Sequence, residues 1–177
     1  MISKGFLYFT FFYYVMSKDI KIYIASPLGF SEIGKKFLYG KIIPIIECAG
    51  YQVIDPWKLT PDNLIKSVLD LPLGEERKNK FVELDKIIGK NNEQGIRKST
   101  GLFAVLDGVD VDSGVASEIG FAAALEKPIL GYRNDFRLAS ENEGAIVNIQ
   151  VEYFIKNNGR IITKIDDLGK ELKLMFE

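Results

Sequence analysis

From residue 20 onward, short apolar runs rich in β-branched residues alternate with longer stretches in which apolar residues recur every three or four positions. That alternation predicts βαβ units around a parallel sheet. "KIYIAS" (21–26) reads as the first strand and "SEIGKKFLYGKIIPIIECAG" (31–50) as a helix closed by Gly50, with a kink or break at Pro44. "YQVID" (51–55) is the second strand, after which a polar, irregular excursion begins at Pro56. Two helical candidates follow, at 61–70 and 78–90, joined by "LPLGEE" (71–76). The third strand, "GLFAVLD" (101–107), is apolar without interruption, which predicts burial on both faces. "SGVASEIGFAAALE" (113–126) reads as a small-residue helix and "KPILGYR" (127–133) as the fourth strand. A polar loop, a helix around "AIVNIQVEYFIKN" (145–157), a fifth strand "RIITK" (160–164) and a last helix from Asp166 complete the pattern. Five strands with interleaved helices predict an α/β, flavodoxin-like or Rossmann-like sandwich with a five-stranded parallel sheet, which binds ligands at the carboxyl ends of its strands.

The first fifteen residues break this rhythm. "GFLYFTFFYYV" (5–15) is apolar and aromatic, yet shorter than the roughly 20 residues a membrane-spanning helix needs. Residues 1–15 are therefore expected to be an extension that the fold does not need, with Met16 resembling a true start and 16–177 forming one domain.

Charge and composition then remove whole classes of function. Lys and Arg number 23 against 24 Asp and Glu, so no basic surplus points to nucleic acid or an anionic membrane as a partner. The single Cys48 has neither a disulfide partner nor companion zinc ligands; it fits a reducing cytoplasm and is expected to be a buried thiol. Histidine is absent, which removes the usual general base, the His-assisted nucleophile and the commonest metal ligand. Any chemistry falls to carboxylates, Tyr, Lys, Arg or backbone groups.

The predicted topology brings three segments to one rim: "ASPLGF" (25–30), "DPW" (55–57) and "DGVDVDSG" (107–114). The third holds Asp107, Asp110 and Asp112, then Gly114, whose missing side chain lets a ligand approach a helix N-terminus. Glu118 follows within the first two turns. A purely structural arrangement satisfies these positions too, with Asp112 capping the helix and Glu118 complementing its dipole. A magnesium site is a third reading, because "DVDSG" resembles the DxDGT signature of haloacid-dehalogenase-type phosphatases. There, however, the nucleophilic Asp ends the first strand, and Asp110 follows a strand late in the chain.

Taken together, "KIYIASPLGF", "LFAVLDGVDVDSGVASEIGFAAALEKPILGYRNDFR" and "IVNIQVEYFI" resemble the nucleoside 2-deoxyribosyltransferase family over residues 21–172. The resemblance implies that Glu118 is a nucleophile: its carboxylate attacks C1′ of a deoxynucleoside through an oxocarbenium-like transition state, and a second base captures the glycosyl-enzyme. No cofactor or metal is implied; the partners are a deoxyribonucleoside and a free nucleobase. Tyr23 matches the tyrosine that orients the nucleophile, although by itself it also reads as a core aromatic. Asp112 matches the acid that hydrogen-bonds the base and supplies a proton to its leaving nitrogen. Asn148 matches an asparagine that reaches into a neighbouring subunit to hold the sugar 5′-hydroxyl, which implies a homo-oligomer, dimer or hexamer. Asn92 stands where some members have a second acid contacting the base, and an amide cannot deliver a proton. Gly114 would let the substrate close on the helix, while Phe30 and Trp57 are candidate walls for the base. "YRNDFR" supplies Arg133, Asp135 and Arg137, whose plain reading is a loop salt bridge.

Two other functions fit the same residues. Deoxynucleoside 5′-monophosphate N-glycosidases resemble the same motif but tend to have serine at the position of Asp112, where a carboxylate would repel phosphate. A non-catalytic nucleotide-binding domain could keep the fold, but would not need a nucleophile.

Overall fold

All five strands run parallel, in the spatial order β2-β1-β3-β4-β5: β1 is Lys21–Ala25, β2 Gln52–Ile54, β3 Gly101–Val105, β4 Ile129–Tyr132 and β5 Gly159–Ile162. This is the doubly wound, flavodoxin-like order, and it puts the central strands β1 and β3 side by side with Tyr23 opposite Leu102 and Ala25 opposite Ala104. The computed structural model describes residues 19–177, so the predicted extension at 1–15 lies outside the described residues.

Period-two alternation sorts the strand residues between two cores. Ile22, Ile24, Phe103, Val105, Leu130 and Tyr132 face one layer, where they pack on Leu38, Ile42, Ile46, Leu168 and Leu172. Tyr23, Ala25, Leu102, Ala104 and Ile129 face the other, against Ile96, Val115, Ile119, Ala122, Val151 and Ile155. Burying each of the larger side chains stabilises the fold by about 1.5–3 kcal/mol. The second layer is built from α4 (Glu75–Lys98), α5 (Ser113–Ala124) and α6 (Ile149–Asn158), and it is the layer that matters for chemistry, because Tyr23 points into it.

The first layer begins with α1 (Glu32–Phe37), a π-helical turn at Leu38–Ile42 and α2 (Ile43–Cys48), and it ends with α7 (Leu168–Phe176). The single kinked helix expected over 31–50 is thus continuous but widened. Ile43 N–H donates to the Leu38 carbonyl five residues back, and Pro44, which has no N–H to donate, follows directly at the start of α2. Cys48 is exposed, not buried as expected. The face of α2 that meets the sheet carries Ile43 and Ile46, and Cys48 lies on the other side of the helix.

Helix α3 (Asp62–Leu69) matches the expected 61–70, whereas α4 extends well past the expected 78–90 in both directions. Glu75 and Glu76 in its first turn and Arg97 and Lys98 in its last complement the helix dipole, while only Leu84, Gly95 and Ile96 are buried. So thin an apolar stripe hides its ends in the sequence, yet the extra length carries Asn92 to the rim. Helix α6 starts later than "AIVN" suggested, because the Asn148 side chain accepts from Gln150 N–H and Val151 N–H and so caps it. Among the described residues no helix is long and apolar enough to cross a membrane.

Candidate active site

Tyr23 is central in β1, fully buried, and its hydroxyl donates to Glu118 Oε1 at 2.6 Å. The contact follows from local rules. Alternation along β1 turns Tyr23 towards α5, and small residues at Ala25 and Ala104 let that helix lie close to the strand ends. Glu118 is the sixth residue of α5, one turn beyond the exposed first residues. On its other side the Tyr23 ring meets α4 at Gly95, where a Cβ would stand 3.0 Å from Tyr23 Cε2 and 2.9 Å from Leu59 Cδ1.

Burial pushes the Glu118 carboxyl up to about 7; the Tyr23 hydrogen bond opposes that shift, and the negative charge of Asp112 adds to it. Tyr23 is itself held far above its ordinary range, by burial first and then by the Glu118 charge and hydrogen bond, so it stays a hydroxyl able to donate. The carboxylate is therefore largely desolvated, and the Tyr23 hydroxyl holds it among the described residues. Those are the conditions of a reactive anion.

Asp112 does cap α5, accepting from Val115 N–H at Oδ1 (3.0 Å), and it lines the same cleft as Glu118. Its capping and its place at the cleft are compatible, since the cap uses one carboxylate oxygen. The other two aspartates serve the loop. Asp107 Oδ1 accepts from Asn134 N–H and Asp135 N–H at 2.7 and 2.8 Å, and Asp110 Oδ1 accepts from Val111 N–H at 2.7 Å. Among the described residues no group of three or more His, Cys, Asp or Glu is placed to hold a metal ion.

The segment "YRNDFR" divides in two. Asp135 and Arg137 form the expected loop salt bridge. Arg133 is instead buried, and its guanidinium donates to the carbonyls of Leu106, Gly108 and Arg137, which ties the loop after β3 to the loop after β4. The sequence gives no sign of which arginine turns inward.

Around the two carboxylates is a cleft of about 300 Å³, at the small end of the roughly 300–1,000 Å³ typical of ligand sites. Trp57 and Phe30 form one wall, edge to face with centroids 4.7 Å apart. Trp57 is pinned by its backbone N–H to Asp55 Oδ1 (3.1 Å) and its indole Nε1–H to the Ser26 carbonyl (3.4 Å). Asp55 is buried in turn and accepts from the Tyr39 hydroxyl at 3.0 Å. Gly114 and Asn92 also line the cleft, and Asn92 Oδ1 is buried with no partner among the described residues. Asn148 is not in the cleft; it sits at the α6 cap, where its amide donates to Glu141 Oε1.

Ser26, Pro56, Ile88 and Val115 line the cleft without having been singled out from the sequence. For Ile88 a signal existed: it stands four residues before Asn92 and four after the buried Leu84, on one face of α4. A larger groove of about 780 Å³ between α2 and α7, lined by Pro44, Ile45, Cys48 and Leu174, is mostly apolar. The smaller cleft is the candidate site because the strand ends and both carboxylates meet there.

A tyrosine-held carboxylate at the carboxyl edge of a flavodoxin-like sheet is an arrangement suited to covalent glycosyl chemistry. A family model described as nucleoside 2-deoxyribosyltransferase matches residues 22–160, and the chain belongs to that family. Among solved structures, it resembles a conserved protein from Enterococcus faecalis V583 at 26% identity, covering 88% of this chain and 98% of that one, with a TM-score of 0.65. A 2-deoxyribosyltransferase from Bacillus psychrosaccharolyticus shares 22% identity over 84% of this chain and 90% of the other, with a TM-score of 0.59. A CMP N-glycosidase from Clostridium botulinum shares 20% identity over 87% and 98%, with a TM-score of 0.50. The curated proteins include no match to this chain.

The raised carboxyl of Glu118 has a consequence for stability. An acid whose pKa is higher in the folded state than in the unfolded chain gives stability that is full below the unfolded value, near 4.5, and is lost as pH rises through about 7. Glu118→Gln should therefore gain on wild type between pH 5 and pH 8 by up to roughly 3 kcal/mol. Urea melts of both proteins at the two pH values measure this; a stability difference that does not change with pH would contradict it.

Proposed function

We propose that this protein exchanges nucleobases on 2′-deoxyribonucleosides through a covalent deoxyribosyl ester on Glu118. The observation that carries the reading is the 2.6 Å contact by which the buried Tyr23 holds Glu118 in the lining of a cleft with an aromatic wall. Ionised Glu118 attacks C1′ as the C1′–N bond breaks, and the departing base takes a proton at nitrogen through Asp112, whose carboxylate hydrogen-bonds the base and relays a proton taken up from solvent. A second base then attacks C1′ through a ring nitrogen from the side the first one left; its N–H proton leaves through Asp112 to solvent, and the ester electrons return to the Glu118 carboxylate. Tyr23 orients that carboxylate and stabilises its charge whenever it is free.

The lining favours a neutral nucleoside over a nucleotide. Among the described residues that line the cleft are two carboxylates and no Lys or Arg, so a phosphate dianion would meet repulsion without compensation. Trp57 and Phe30 offer stacking surface for the base, and the unpartnered Asn92 Oδ1 offers an acceptor for a base N–H. Asn148 belongs to the proposal as a group supplied to the site of a neighbouring copy. An assembly of identical subunits, dimer or hexamer, also gives a use to the exposed Val109, Phe136, Leu138, Ile149 and Tyr153 on the loops after β3 and β4 and on α6. The setting we propose is base salvage in a reducing cytoplasm.

The test mixes the protein with deoxyinosine and free adenine and separates the products by chromatography. Wild type yields deoxyadenosine and hypoxanthine, and Glu118→Ala yields neither. Hypoxanthine released at the same rate with or without adenine, and no deoxyadenosine, would mean that water is the acceptor and would replace this reading with an N-glycosidase.

The ionisation of Glu118 sets the pH dependence. Only the carboxylate attacks, so kcat/KM should fall about tenfold per pH unit below a midpoint near 7. Tyr23→Phe removes the hydrogen bond that favours the ionised form; it should move the midpoint upwards and lower kcat/KM about 10- to 100-fold at pH 7. A midpoint that stays in place in Tyr23→Phe would contradict the role assigned to the hydroxyl.

A further inference from the structure

Gly29 lies in the 3₁₀ turn Pro27–Phe30 after β1, is buried, and does not line the cleft. A Cβ on it would stand 2.0 Å from Cε2, 2.3 Å from Cδ2 and 2.5 Å from Cζ2 of Trp57. These atoms belong to the rigid bicyclic ring and cannot yield as a flexible chain end does. The backbone of Gly29 is not left-handed, so space and not conformation demands glycine here.

Trp57 has little freedom to retreat. Asp55 holds its N–H, the Ser26 carbonyl takes its indole N–H, Pro56 fixes the preceding backbone, and Phe30 abuts the ring at 4.7 Å. Trp57 lines the cleft and Gly29 does not, so a methyl group on Gly29 that displaces the indole moves the wall against which a ligand would rest. In a cleft of about 300 Å³ a displacement of that kind removes room needed by the larger ligands.

We propose that Gly29 is a positioning residue of the cleft: its missing side chain seats the Trp57 indole as a wall, and the seated indole sets how large a nucleobase is admitted. The inference rests on the nucleobase reading above for its ligand, and on the Gly29–Trp57 contact alone for its mechanism. It assigns base size selection to a residue that touches no substrate.

Trp57 is the chain's single tryptophan, so its emission reports this contact directly. Four proteins are compared: wild type, Gly29→Ala, Trp57→Val and the double variant. Gly29→Ala should shift the emission maximum and lower the thermal midpoint, and Trp57→Val should relieve that loss of stability, because the atoms in collision are gone. By equilibrium dialysis, Gly29→Ala should weaken adenine about tenfold or more and cytosine less. In the Trp57→Val background the same change should alter either affinity by less than about twofold.

Unchanged emission and affinity in Gly29→Ala would overturn the proposal, and so would an equal loss of affinity with and without the indole. Should neither adenine, cytosine nor deoxyadenosine bind wild type while Gly29→Ala still shifts the emission, the size-selection role falls together with the nucleobase reading. In that case the contact would stand as a packing feature only.

Discussion

The hydroxyl of Tyr23 and the carboxylate of Glu118 come from positions 95 residues apart, and each is in an environment that would be unfavourable without the other. A buried phenol needs an acceptor, and a buried carboxylate needs a donor, or the desolvation cost of each goes uncompensated. Their meeting at 2.6 Å ties α5 to β1 and holds the carboxylate in the lining of the cleft. Much of the surrounding structure serves this contact. Gly95 on α4 gives the phenol ring its space, the small side chains at Ala25 and Ala104 admit α5, and the Asp112 cap anchors the first turn of that helix.

The same contact is what makes Glu118 the proposed nucleophile in a chain without histidine. Burial makes the Glu118 anion costly, and the hydroxyl returns part of that cost, leaving a carboxyl that titrates near 7. A fully solvated carboxylate would be ionised but well hydrated; a buried one without a donor would stay protonated. The tyrosine holds Glu118 between these limits. Around it, the Arg133 guanidinium and the Asp107 carboxylate bind backbone groups from two loops and so fasten the rim that carries Asp112.

Much of this was legible in the residues because it follows short-range rules. Alternation along "KIYIA" and the unbroken apolar "GLFAV" specify a buried parallel sheet, and the doubly wound order then brings "ASPLGF", "DPW" and "DGVDVDSG" to one edge. Other features depend on tertiary partners that have no local trace. The length of α4 is hidden because its apolar stripe is interrupted by Asn92, whose side chain faces the cleft. Cys48 reads as a core residue by its type, yet the period of α2 turns Ile43 and Ile46 inward in its place. Arg133 cannot be told from Arg137 by spacing, since what separates them is the set of carbonyls that happens to converge on one guanidinium. Gly29 looks like any turn glycine until Trp57 is found against it.

The proposed exchange requires Glu118 to form a bond to the sugar. The direct measurement is mass spectrometry of the protein after brief incubation with a deoxynucleoside and no acceptor base, quenched in acid and digested. The expected result is a mass increase of one deoxyribosyl group on the peptide containing Glu118, lost when a free base is added before quenching and absent in Glu118→Gln. Base release with no adduct on that peptide at any time point, or an adduct on a different residue, would contradict it.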